Sequence, residues 1–186
     1  MFKYLALFVV LAHGIQAQKI IIGLCPRVNV QENFDLEKYL GTWYEAEKYS
    51  EPFELGGKCM KQVWSGESNG KISVLEQLIK KNSGKVVNGD NTAKFVGNRN
   101  EAKLTLDTPG VPFGAPYWIL ETDYDNYSVV WSCIDTGLLN IRFTWILTRD
   151  RHPSESIMKK AYAVYDRYNL IKTFEKTDQD DCPSEF

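Results

Sequence analysis

Between residues 42 and 149 the chain shows the same local grammar eight times: a short run rich in β-branched and aromatic residues, closed off by glycine, asparagine or proline. Runs of that length with that punctuation are β-strands joined by tight turns. Strands are predicted near 42–49, 58–67, 71–80, 84–96, 101–107, 116–124, 127–134 and 140–149. Two turns are sharply marked. Asn69-Gly70 sits between apolar runs, the residue pair that a two-residue hairpin turn favours. Asp125-Asn126 joins Tyr117-Trp118-Ile119-Leu120 to Ser128-Val129-Val130-Trp131 with almost no slack, so those two strands must pair. Eight consecutive strands with short connections make an antiparallel meander, either a closed barrel or a two-sheet sandwich.

The flanking segments read differently. Lys3, the apolar run at 4–12 and the small residue Ala17 form a secretory signal, with cleavage expected after Ala17. Residues 18–186 are then a single domain. Loss of Lys3 turns 22 basic residues against 24 acidic into 21 against 24, a net charge of −3. A balance so near neutral gives no ground for nucleic acid or an anionic membrane as partner. Residues 18–33 read as an irregular arm and 34–40 as a short helical turn ended by Gly41. After the strands, Pro153, Ser154 and Glu155 open a helix whose Ile157, Ala161, Val164, Tyr165 and Tyr168 form one apolar stripe. Such a stripe needs one surface to lie against, and the outside of the sheet supplies it. The last stretch is extended, and its Asp178, Asp180 and Asp181 read as a solvated acidic tail.

Cys25, Cys59, Cys133 and Cys182 remain after cleavage, widely spaced and without a C-x-x-C pair. In an exported chain that means two disulfides, and spacing alone leaves all three pairings open. His152 is the one histidine of the mature chain and stands in a connection, which argues against His-based triads, His-ligated zinc and haem ligation. No catalytic residue and no metal site is predicted. Asn126-Tyr127-Ser128 makes Asn126 a candidate acceptor for N-glycosylation.

Gly41-Thr42-Trp43-Tyr44 resembles the opening motif of the lipocalins. Thr122-Asp123-Tyr124, at the turn between the sixth and seventh strands, and Arg149, closing the eighth, match the two later motifs in order. The resemblance spans essentially the whole mature chain. It is strongest toward the apolipoprotein D branch and its insect relatives, through Val30-Gln31-Glu32-Asn33-Phe34-Asp35, Ala115-Pro116-Tyr117-Trp118-Ile119-Leu120 and Thr177-Asp178-Gln179. It implies an all-β fold: an eight-stranded antiparallel up-and-down β-barrel with one C-terminal α-helix packed on the outside. It also implies the pairing Cys25–Cys133 and Cys59–Cys182, and Trp43 lying across the closed end with Arg149 stacked on its face. Gly41, Thr122, Asp123 and Tyr124 are then structural. The implied function is a secreted, extracellular carrier of a small hydrophobic ligand (a fatty acid, sterol or similar lipid) that needs no cofactor and is not an enzyme. Two alternatives stay open: a biliverdin-binding pigment carrier, and an isomerase acting through a free cavity thiol.

The family's facing pattern also sets the phase of the alternating strands. It turns Trp64, Val74, Glu76 and Leu78 inward, then Leu104, Leu106 and Thr108, then Tyr117, Ile119 and Val130, and finally Phe143, Trp145 and Leu147. Trp118 is left outside, under the helix. In a filled sandwich the same residues would simply be core. As ligand contacts, Trp145→Ala and Tyr117→Ala are expected to weaken uptake with little loss of folding. The loops at 50–57 and 109–114 frame the open mouth and place Val111 and Phe113 at its rim, where apolar side chains meet ligand, membrane or a receptor.

Overall fold

The computed structural model describes residues 19–49, 56–110 and 113–184. The signal segment with its cleavage after Ala17, and the loop residues 50–55 and 111–112, lie outside the described residues. In chain order the elements are β1 (Lys19–Ile22), α1 (Leu36–Tyr39), β2 (Gly41–Lys48), β3 (Gly57–Ser68), β4 (Lys71–Lys80), β5 (Val86–Phe95), β6 (Lys103–Asp107), β7 (Ala115–Thr122), β8 (Tyr127–Asp135), β9 (Leu139–Thr148), α2 (Glu155–Arg167) and β10 (Glu175–Lys176). Each strand from β2 to β9 pairs antiparallel with the next, and β9 pairs back to β2. The eight predicted strands thus form a closed barrel, not a sandwich.

The seam that closes the barrel is divided. Residues 145–148 of β9 pair with β2, whereas residues 139–142 pair with β1. The N-terminal arm is therefore irregular only from residue 23 on. Its Ile20-Ile21-Ile22 run completes the part of the β9 edge that β2 leaves uncovered. Cys25 is bridged to Cys133 and Cys59 to Cys182, which staples the arm to β8 and the tail to β3. Sequence separations of 108 and 123 make each closed loop long, worth about 4–5 kcal/mol on chain-entropy grounds.

The tail also departs from expectation. Asp180 and Asp181 are exposed, but Asp178 accepts a hydrogen bond from the Cys59 N–H and pairs with Lys81. The Gln179 side chain is buried and donates to the carbonyls of Glu45 and Met60 at 2.9 and 2.7 Å. This docking gives backbone carbonyls of β2 and β3 a buried side-chain donor.

Helix α2 starts where Ser154 Oγ accepts from the Ile157 N–H, with Glu155 in its first turn and Arg167 in its last. Ala161, Val164 and Tyr165 bury against Leu120, Val129, Trp131 and Ile146 on the outer barrel wall. Trp118 is outward and packs against the same cluster. A second, inner cluster fills the closed end around Trp43, Tyr39, Trp64 and Leu104. The Trp43 indole N–H donates to the Tyr39 carbonyl at 2.9 Å, and the Arg149 guanidinium covers the ring from outside.

Candidate functional site

Directly paired residues on neighbouring strands share a face, so the ladder decides which side chains point into the barrel. Trp64 stands opposite Val74, Leu104 opposite Tyr117, Ile119 opposite Val130, and Val130 opposite Trp145. Glu76 is reached from Gln62, Leu106 from Ala115, Phe143 from Ser132 and Leu147 from Ser128. All these residues lie on the inner wall. Thr108 falls beyond the end of β6 and is exposed.

They do not share one environment. Trp64, Val74, Leu104, Tyr117, Ile119, Val130 and Leu147 are fully buried and form, with Trp43 and Tyr39, a packed floor. Glu76, Leu106, Phe143 and Trp145 point inward yet keep accessible surface. On the inner wall of a closed barrel, accessible surface means unfilled space. The interior is packed at the closed end and hollow toward the mouth. Aromatic rings run through both parts: Tyr39 meets Trp64 at 5.2 Å, Trp64 meets Tyr117 at 5.2 Å, and Tyr117 and Phe143 stack on opposite neighbours of the same column, each against Trp145, at 6.3 and 6.2 Å.

A polar node stands where floor and hollow meet, and most of it escaped the sequence reading. Gln62 Oε1 accepts from Tyr117 OH at 2.7 Å and from Trp64 Nε1 at 3.2 Å, while Gln62 Nε2 donates to Glu76 Oε1 at 3.0 Å. Asn91 projects from β5, opposite Val74, and its Oδ1 is buried without a partner. Glu45 and Lys48 form an ion pair at 2.9 Å with side chains only 2% and 11% exposed. Gln62 shares the phase of Trp64, so alternation alone would have found it had polar residues been sought. Lys48 could not be found that way. A register shift between Glu45 and Glu47 turns Glu47 outward, where Tyr162 OH donates to it at 2.8 Å, and brings Lys48 opposite the inward Trp145.

Burial pushes the Glu76 carboxyl above its ordinary range. Hydrogen bonds from Asn91 and Gln62 and the nearby Lys48 oppose that rise, and the Glu45 charge adds to it. Burial likewise raises the Tyr117 hydroxyl well above the usual phenol value and Tyr39 to about 12, so both stay protonated donors. Among the described residues no group of three or more His, Cys, Asp or Glu side chains is placed to hold a metal ion, and no helix is long and apolar enough to cross a membrane.

A one-ended cup of eight antiparallel strands, with an Arg–Trp cap below and a single external helix, is the architecture these observations define. The lipocalin / cytosolic fatty-acid binding protein family matches residues 40–181, and the chain belongs to the lipocalin family. It is 38% identical to apolipoprotein D of Mus musculus over 186 residues, covering 98% of this chain and 97% of that protein. It is 32% identical to the Lazarillo protein of Schistocerca americana over 179 residues, covering 94% and 82%. Among solved structures, lobster apocrustacyanin A1 superposes with a TM-score of 0.75 at 26% identity, covering 86% of this chain and 91% of that one.

Proposed function

We propose that this lipocalin is an extracellular carrier that holds one small hydrophobic molecule, a fatty acid, sterol or similar lipid, in the mouth half of its barrel. One observation carries the reading: Trp145 and Phe143 point into a closed barrel and still present accessible ring surface. Apolar surface left uncovered there is stabilised by about 25 cal/mol for each Å² that a guest covers. The resemblance to apolipoprotein D and to the Lazarillo protein supports the same reading. Two long-range disulfides suit an oxidising, extracellular compartment. Asn126, the candidate glycan acceptor, is exposed in the β7–β8 turn, where its Nδ2 donates to Asp123 Oδ2 at 2.9 Å. Phe113 and Leu138, 82% and 84% exposed at the open end, are apolar rim residues available to a membrane or receptor.

The protein acts by binding, not by catalysis. A thiol isomerase needs a free sulfur, and all four cysteines are held in the two bridges. The test is to express the mature chain, extract it with solvent and identify by mass what it carries. A lipid, or saturable uptake of added fatty acid or sterol by the delipidated protein, is the expected result. A coloured preparation yielding biliverdin replaces lipid by pigment as the cargo. A barrel that yields nothing and takes up neither lipid nor pigment overturns the carrier reading.

A further inference from the structure

The hydrogen-bond relay inside the barrel has a direction, fixed by one donor-only group. The Trp64 indole N–H can give a hydrogen bond but not take one. The Gln62 atom 3.2 Å from it is therefore the amide oxygen, and the Gln62 amide has a single orientation. Tyr117 OH gives a second hydrogen bond to that oxygen. Gln62 Nε2 is then left to donate onward to Glu76 Oε1. Trp64 and Tyr117 donate to Gln62 and Gln62 donates to Glu76, so the relay ends on the Glu76 carboxyl.

Asn91 donates to the Glu76 carboxyl as Gln62 does, and the lone pairs that neither amide takes remain acceptors. Asn91 Oδ1, in a side chain 2% exposed, is a second acceptor with no partner beside it. Across the ladder from Glu76 stands Gly89, which places no side chain over the carboxyl, and even an added Cβ would lie 3.7 Å from Oε2. The nearest charges, Glu45 and Lys48, pair with each other and act on Glu76 in opposite directions.

We infer that Glu76, with Asn91 beside it, selects a lipid whose polar end is an uncharged hydroxyl, and that this hydroxyl donates to the Glu76 carboxyl. The inference rests on the carrier reading and refines its ligand class. A ligand carboxylate fits this site only while Glu76 holds a proton, and an ammonium only while Glu76 is ionised. An alcohol can donate to the carboxylate and can both give to and take from the carboxylic acid. It alone is accommodated in both states.

The experiment titrates the delipidated mature chain, near neutral pH, with oleyl alcohol, oleic acid and oleylamine, followed by quenching of tryptophan fluorescence. The wild type is expected to bind the alcohol about tenfold more tightly than either charged analogue. In Glu76→Gln the Gln62 donor orients the new amide so that its NH2 faces the hollow, and oleic acid should gain about tenfold while the alcohol changes little. Wild-type preference for acid or amine overturns the inference while leaving the carrier reading intact. An unchanged alcohol-to-acid ratio in Glu76→Gln overturns the assignment to this residue. Failure of all three probes to bind overturns the carrier reading along with it.

Discussion

The guanidinium carbon of Arg149 lies 3.7 Å from the centre of the Trp43 ring, and the same group donates to five backbone carbonyls, those of Thr42, Lys38, Tyr39, Leu40 and Tyr124. One side chain thereby ties α1, the start of β2 and the β7–β8 turn into a plug. Gly41 is required beside it on two counts: its φ is +99°, and a Cβ there would stand 3.3 Å from Arg149 Nη1. Arg149→Ala is expected to lower stability by about 2–4 kcal/mol, from the lost stacking and the abandoned carbonyls. Arg149→Lys should recover little, because an ammonium cannot reach that fan of acceptors. Urea denaturation of both variants checks this, and a lysine variant as stable as wild type would refute the plug.

Trp145 and Tyr117 separate binding from folding, and correct the expectation that both are mild truncations. Trp145 keeps accessible surface, so Trp145→Ala should weaken lipid uptake with a small change in melting temperature. Tyr117 is 2% exposed and bonded to Gln62, so Tyr117→Ala should cost about 3–5 kcal/mol of stability. Measuring uptake and thermal unfolding on both proteins checks the division. Equal melting temperatures would place Tyr117 in the hollow.

Glu76 makes the fold sensitive to pH in a stated direction. Its carboxyl titrates above the ordinary 4.5 in the folded state, so the folded protein holds that proton more tightly than the unfolded chain. This contribution to stability is fully present below 4.5 and is lost as pH rises through the folded value. Glu45, Lys48, Gln62, Asn91 and Tyr117 are the polar groups around it. Glu76→Gln should therefore be more stable than wild type at neutral pH and should lose that part of the pH slope. Denaturant midpoints measured from acid to neutral pH would expose a parallel pair of curves if the carboxyl is not responsible.

Gln179 is the clamp of the C-terminal tail. Besides its two donated bonds, its Oε1 accepts from Arg151 at 2.8 Å. Gln179→Ala leaves buried carbonyls of Glu45 and Met60 without that donor and should cost about 1–3 kcal/mol. Thermal unfolding gives the magnitude, and faster proteolysis of the tail in the variant gives the location. A tail equally protected in both proteins would show that the Cys59–Cys182 bridge holds it unaided.

What the chain revealed before folding was whatever local pattern dictates. The Asn69-Gly70 turn, the helix start at Ser154 and the alternation through Tyr117 and Ile119 are written in neighbouring residues, and each is found where it was expected. The misses all depend on partners far away. Lys19-Ile20-Ile21-Ile22 is a strand only because β9 offers half an edge. Lys48 faces inward only because the β2–β9 ladder slips. Gln62 and Asn91 were overlooked for a different reason: a hollow sought through apolar residues hides the polar ones on the same face.

The shared edge of β9 also orders events during synthesis. Residues 19–22 emerge from the ribosome early, yet β9, with which they pair, is made near the end, and the Cys25–Cys133 bond that fixes them spans 108 positions. Closing so long a loop is entropically slow, so the arm stays undocked while most of the wall assembles. Of the three ways to join four thiols, the native one is the one that strand registration favours, since pairing β1 with β9 carries Cys25 toward Cys133.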